Sequence, residues 1–186
     1  KRYRSSYFIN YMALKIIFMG TSEFSVPILK SLYYSEHNIL EVYTQAPRKK
    51  NRGQKIEISP IHKFSLKNKI TVRYPDKINA KEEVEHIKQV KPDIVIVVAY
   101  GKILPKKLLN IKDLKFINIH ASLLPKWRGA APIHRAIMNL DKETGISIMQ
   151  IEAGLDTGPI MMSAKIKILK NTNYKNLSNQ LSKMGS

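Results

Sequence analysis

Seven consecutive residues, Asp93-Ile-Val-Ile-Val-Val-Ala99, constrain the fold of this chain more than any other segment. Five of them are β-branched and no polar residue interrupts the apolar run after Asp93. A strand of that composition must be covered on both faces, as the central strands of parallel sheets are. Helices on both sides of a sheet provide such cover, and the sequence supplies strands and helices in alternation. A strand from Leu14 to Met19 runs into Gly20-Thr-Ser-Glu23, where Ser22 is expected to cap a helix through about Tyr34. A strand over Ile39–Thr44, a polar stretch over Gln45–Ser59 and a short helix after Pro60 follow. Next come a brief strand over Ile70–Arg73 and a charged helix over Asn79–Val90. Beyond the central run, Phe116–Ile119 reads as another buried strand and Pro132 opens a helix to about Leu140. Strands over Gly145–Ile151 and Ile160–Ile168 flank a glycine-containing loop, and Asn171 or Thr172 is expected to cap a last helix reaching Leu181. This order predicts an α/β fold, an open, doubly wound, mostly parallel sheet with right-handed crossovers and an antiparallel edge strand. Functional loops then belong at the carboxyl ends of the strands.

The 186 residues fit one domain with its own core. With no cysteine, disulfide scaffolds, thiolate metal sites and a cysteine nucleophile are excluded. No apolar run reaches the ~20 residues needed to cross a bilayer, and a cytoplasmic, monomeric protein is expected. Against 14 acidic residues stand 32 basic ones, a formal charge of +18 that points to an anionic partner such as nucleic acid. Lysine and isoleucine each occur 25 times, however, a bias that an AT-rich genome also produces. The informative question is therefore where the charge clusters. Residues 1–11 carry three basic and no acidic side chains before Met12 and are expected to be a leader or tag remnant.

Nucleotide-binding signatures fail: the turn after the first strand has one glycine where a dinucleotide fold uses three, and no Gly-Lys-Ser/Thr exists. The histidines His37, His62, His86, His120 and His134 show no metal-binding spacing, so no metal site is expected and most should lie at the surface. Asn118-Ile-His120 is different. Alternation puts an amide and an imidazole on the same side of a strand at its carboxyl end. In isolation the pair also reads as a histidine bonded to nearby backbone. The segment that follows, Ala121 to His134, holds two prolines, a glycine and the only tryptophan, and reads as a loop that shapes a substrate site. Asp156 sits within Gly154-Leu-Asp-Thr-Gly158, where the glycines are expected to let the carboxylate project inward; alone, it equally suits an Asx turn.

Taken together, Asn118-Ile-His120, Ser122-Leu-Leu-Pro125, Arg128-Gly-Ala-Ala-Pro-Ile133 and Gly154-Leu-Asp-Thr-Gly158 resemble the folate-dependent formyltransferase family. The likeness begins at Ile17-Phe-Met-Gly-Thr-Ser-Glu-Phe-Ser-Val-Pro27, includes Val98-Ala-Tyr-Gly101 and covers nearly everything after Met12. It implies a Rossmann-like formyltransferase sheet and a catalytic domain over residues 12–186, without the additional C-terminal domain that helps tRNA-formylating relatives hold tRNA. It also implies transfer of a formyl group from 10-formyltetrahydrofolate to the α-amino group of methionine on initiator tRNA, with no metal. Carried over residue by residue, Asn118, His120 and Asp156 become the catalytic set, with Asn118 and His120 stabilising the oxyanion and Asp156 orienting His120. Ser122, Leu123, Leu124 and Pro125 become the folate-contact segment, and Lys102, Ile103 and Leu104 a second wall.

Charge clusters in Gln45-Ala-Pro-Arg-Lys-Lys-Asn-Arg-Gly-Gln-Lys55, which packs five positive residues and no acid into eleven positions. The stretch resembles the family's tRNA-contacting insertion, and Arg48, Lys49, Lys50, Arg52 and Lys55 are its candidate phosphate ligands. Lys49 and Asn51 stand where many relatives have Pro and Gly. Two alternatives stay open: a sister enzyme acting on glycinamide ribonucleotide or a sugar nucleotide, and a non-catalytic RNA-binding module on the same sheet.

Overall fold

A computed structural model describes residues 12–50 and 55–186. In chain order the described residues form β1 (Lys15–Gly20), α1 (Ser25–Tyr33), β2 (Asn38–Tyr43), β3 (Arg48–Lys50), β4 (Lys55–Glu57), α2 (Pro60–Lys67) and β5 (Val72–Arg73). They continue through α3 (Lys81–Val90), β6 (Ile94–Val98), α4 (Lys106–Leu109), β7 (Lys115–His120), α5 (Pro132–Met138), β8 (Glu143–Gln150), β9 (Ile160–Lys167) and α6 (Tyr174–Met184). Seven strands build one sheet in the order β5-β2-β1-β6-β7-β8-β9. β5, β2, β1, β6 and β7 are parallel, whereas β8 is antiparallel to β7 and β9 to β8.

The apolar run of the sequence is β6, paired in parallel on both sides. Its alternate residues feed two separate cores. Val98 joins Phe18, Val42 and Ile119 beneath α1, α2, α5 and α6. Val95 and Val97 join Ile17, Met19, Tyr43 and Phe116 beneath α3 and α4. Each fully buried aliphatic side chain contributes roughly 1.5–3 kcal/mol of transfer free energy. That two-faced burial is why the run carries no alternation.

Local chemistry sets the helix starts. Ser59 caps α2 by accepting the His62 N–H at 3.0 Å, with Pro60 at the first helical position, where a missing N–H costs nothing. Asn173 caps α6 by accepting from Asn176 N–H at 2.9 Å, so the cap lies beyond Asn171 and Thr172 and the helix continues to Met184. α1 corrects another expectation: residues 22–24 form a turn in which Ser25 N–H donates to the Ser22 carbonyl, and the helix begins at Ser25 without a side-chain cap. The polar stretch after β2 contains the antiparallel pair β3–β4, with Arg48 opposite Glu57, and the segment after β6 contains the single-turn α4. Period-based reading missed both, because three or four residues are too short to show a period.

Candidate active site

β1, β2, β6 and β7 all end at one edge of the sheet, and the sequence-derived site residues lie on or beside those ends. Strand alternation places Phe116, Asn118 and His120 of β7 on the face covered by α3 and α4, while Ile119 faces the opposite core. Phe116 belongs to the apolar layer; Asn118, half-buried, and His120, 7% exposed, continue the same row toward the carboxyl end.

Asp156 reaches this row from the loop between β8 and β9. Its Oδ1 accepts the Asn118 Nδ2–H at 3.2 Å and its Oδ2 accepts the Gly129 N–H at 2.7 Å. Oδ2 also lies 3.6 Å from His120 Nδ1. The backbone solution differs from the sequence expectation. Asp156 itself occupies the left-handed region, at φ +48°, whereas neither Gly154 nor Gly158 has a positive φ. An aspartate tolerates that region better than most residues do. Gly158 serves close approach instead, since a Cβ there would collide with the Gln150 carbonyl oxygen.

The opposite edge of His120 is fixed by the loop that follows it. His120 Nε2 lies 2.9 Å from the Trp127 carbonyl oxygen, which only accepts, so Nε2 carries the proton and donates. Nδ1 is then the edge that faces Asp156.

The loop over residues 121–131 is tightly tied. Ser122 is fully buried, and its hydroxyl donates to the Lys126 carbonyl at 2.6 Å. Ser147 of β8, also fully buried, donates to the Ser122 carbonyl at 2.8 Å and accepts from Leu124 N–H at 3.0 Å. The Ser122 side chain therefore shapes the turn from within; Leu123 and Leu124 are half-buried and Pro125 is exposed. Asp141, in the turn after α5, accepts Lys126 Nζ and Asn139 Nδ2 on Oδ1 and Trp127 Nε1 on Oδ2, each at 2.7 Å. Burial by itself would raise the Asp141 carboxyl; the hydrogen bonds from Lys126, Asn139 and Trp127 outweigh it and hold the group below the ordinary carboxylate range.

Lys102, Ile103 and Leu104 leave the end of β6, the neighbour of β7. Lys102 Nζ donates to the carbonyls of Pro75 and Asp76 at 2.6 and 3.0 Å, which ties its loop to the one after β5. Ile103 is 87% exposed and Leu155, beside Asp156, is 64% exposed. Those two residues with the half-buried Leu104 offer apolar surface at the site edge, and surface of that kind suits a flat heteroaromatic ring. Among the described residues no group of three or more histidine and carboxylate side chains is placed to hold a metal ion.

The basic segment starts at the same edge. Gln45, just past β2, donates through Nε2 to the carbonyls of Tyr100 and Gly101 at 3.0 and 3.1 Å, which anchors the base of β3–β4 beside the end of β6. Arg48 is exposed on β3; Lys49, Lys50 and Lys55 are backbone positions of the β3–β4 pair; Arg52 lies outside the described residues. Of the histidines only His62 and His120 are buried, and His86 pairs with Glu41 at 2.9 Å.

Sequence reasoning missed Ser147, Asp141 and the two backbone partners at Trp127 and Gly129. Ser147 had one visible signal, a hydroxyl set between Ile146 and Ile148. Asp141 in Asn-Leu-Asp-Lys reads as an ordinary turn residue and carried none.

A family model described as formyl transferase matches residues 14–186. Methionyl-tRNA formyltransferase of Pelagibacter ubique is 56% identical over 176 residues, which is 94% of this chain and 57% of that protein. The Wolbachia enzyme of the same name is 48% identical over 173 residues, covering 93% of this chain and 58% of its own length. The chain thus spans a little under three-fifths of these curated relatives. In fold it is similar to phosphoribosylglycinamide formyltransferase from Bacillus halodurans, with a TM-score of 0.75 at 21% identity over 92% of this chain and 89% of that one. With a matched span that runs from Leu14 to Ser186 and so takes in the whole seven-stranded sheet, the chain belongs to the formyl transferase family.

Proposed function

We propose that this chain transfers a formyl group from 10-formyltetrahydrofolate to the α-amino group of methionine esterified to initiator tRNA, within cytoplasmic translation initiation. The observation that carries the reading is the convergence of an amide, an imidazole and a carboxylate from one strand end and one loop of a single chain. The acceptor is supported by the names of the relatives at 56% and 48% identity. A monomer suffices, since all three groups belong to one chain, and residues 12–186 are assigned the formyl-transfer domain. No helix among the described residues is long and apolar enough to cross a membrane.

Attack of a neutral amine on a formamide-like carbonyl forms a carbon–nitrogen bond and puts negative charge on the carbonyl oxygen. The bond to the folate nitrogen then breaks, and the proton lost by the amine must reach that nitrogen. Asn118 Nδ2 has a second hydrogen beyond the one given to Asp156, and we assign it to the oxyanion. His120, tethered at Nε2, presents Nδ1 beside Asp156, so the pair takes up the amine proton and returns it to the leaving nitrogen. The apolar edge of Ile103, Leu104, Leu124 and Leu155 is assigned to the pterin, and Arg48, Lys49, Lys50, Arg52 and Lys55 to tRNA phosphates.

The deciding experiment supplies formyl donor with methionyl-tRNA, free methionine or glycinamide ribonucleotide as acceptor. Formyl-methionyl-tRNA as the sole product is expected. Transfer only to glycinamide ribonucleotide would move the chain to a sister activity, and tRNA binding without any transfer would make it a binding module.

A further inference from the structure

Trp127 occupies the left-handed backbone region, at φ +58°, a conformation that a bulky L-residue keeps only where its surroundings hold it. That peptide geometry presents the Trp127 carbonyl to His120 Nε2 at 2.9 Å. What holds Trp127 is its own indole: Nε1–H donates to Asp141 Oδ2 at 2.7 Å, and the neighbouring Lys126 donates to Oδ1 of the same carboxylate. The Asp141 side chain is only 5% exposed. It is fixed in turn by Asn139 Nδ2 and by its own N–H, which donates to the Ala136 carbonyl of α5 at 3.0 Å. Two residues on, Gly129 N–H donates to Asp156, so one loop sets both groups that flank the imidazole.

We propose that Asp141 is a positioning residue for the formyl-transfer reaction, acting through the Trp127 indole to fix the tautomer and orientation of His120. The inference rests on the function proposed above. It adds a residue outside the Asn118, His120 and Asp156 cluster, whose own hydrogen bonds go to Lys126, Trp127, Asn139 and Ala136. Without the indole tether, Trp127 relaxes toward a right-handed backbone and withdraws its carbonyl. His120 Nε2 then loses the acceptor that keeps its proton there, and the ring samples both tautomers.

The test compares the wild-type chain with Trp127→Phe, Asp141→Ala and the double variant. Trp127→Phe keeps an aromatic ring at the position while removing the indole and its N–H, and leaves Asp141 in place, so it remains informative if Asp141→Ala folds poorly. Ring nitrogen chemical shifts of 15N-labelled protein report the His120 tautomer without any need for turnover. Protonation on Nε2 is expected in the wild type and a mixture of tautomers in each variant. In the formylation assay, kcat should fall roughly 10- to 100-fold, as for a catalytic group displaced by about an ångström. KM for methionyl-tRNA should stay within about twofold, and the double variant should be no slower than the worse single one, as for residues acting as a unit. A lowered melting temperature with His120 still protonated on Nε2 and kcat unchanged would overturn the proposal and leave Asp141 a purely structural residue. Absence of formyl transfer by the wild type would instead overturn the functional reading, and the tautomer measurement would still decide the role of Asp141.

Discussion

Asn118 and Asp156 stand 38 residues apart in the chain, yet the Asn118 amide donates to Asp156 Oδ1 at 3.2 Å. The substitution that isolates this relationship is Asp156→Asn. Asparagine tolerates the left-handed φ of +48° and keeps one oxygen for the Gly129 N–H. The nitrogen that replaces Oδ1 cannot accept from Asn118, so the fold should persist with a small drop in melting temperature. The negative charge beside His120 Nδ1 is lost, and with it the proton transfer that the pair supports. Steady-state formylation should show kcat reduced by about 10²–10⁴. Near-native turnover would remove Asp156 from the reaction.

Much of this site was legible because its parts obey simple periods. The i, i+2 spacing of Asn118 and His120 on a β-strand fixes their shared face, and the doubly wound pattern fixes the end of the sheet where ligands gather. Asp156 was legible as a residue but not in its backbone: the flanking glycines drew the argument, while the strained φ belongs to the aspartate itself. The Trp127 carbonyl and Gly129 N–H were out of reach, because backbone groups carry no residue identity and their aim depends on the fold of a whole loop. Asp141 was hidden for the same reason, its partners being set by where α5 ends. β3 and β4 were hidden in a different way, since Arg48–Lys50 and Lys55–Glu57 are three residues each, too short to show a period, and pair only with each other.

Ser147→Ala tests how far β8 shapes the loop after β7. The fully buried hydroxyl serves two loop groups, and alanine leaves the Leu124 N–H and the Ser122 carbonyl without that partner. Leaving buried polar groups unsatisfied costs about 1–3 kcal/mol. Chemical denaturation should register a loss in that range, and a loss near zero would mean that the loop holds its shape by other contacts.

Gly145→Ala tests the seam between β8 and the edge strand β9. A Cβ at position 145 would collide with the Ala164 carbonyl oxygen and come within 2.6 Å of Leu123 Cδ2. Leu123 meets it with the end of a flexible side chain and Ala164 with strand backbone, so the β8–β9 ladder must shift. Overpacking of this kind costs about 1–3 kcal/mol. Faster amide exchange along Ile160–Lys167, with little change in β1, is the expected signature.

The basic segment makes a prediction about salt. If Arg52 neutralises one tRNA phosphate, Arg52→Ala should lower the slope of log affinity against log salt by about 0.7–0.9 and weaken binding of all tRNAs alike. Binding isotherms across a salt series measure both. An unchanged slope assigns the charge of this segment to solvent.

His62 sets a pH dependence of stability that lies away from the reaction. The residue is 8% exposed, its ring packs at 5.4 Å on Tyr74, and its Nδ1 has no hydrogen-bond partner among the described residues. Burial disfavours the charged imidazolium and lowers the pKa from its ordinary value of 6.5. The folded state therefore binds its proton less readily than the unfolded chain. The neutral ring contributes its full share of stability above about pH 6.5, and that share is lost as pH falls below it toward the folded-state value. His62→Phe removes the titration while keeping an aromatic ring against Tyr74. Melting temperatures of the wild type should drop on acidification from about pH 7 to 5 more steeply than those of the variant. Parallel curves for the two proteins would show that His62 is protonated in the fold as readily as in the unfolded chain, and that its burial is relieved by motion of α2.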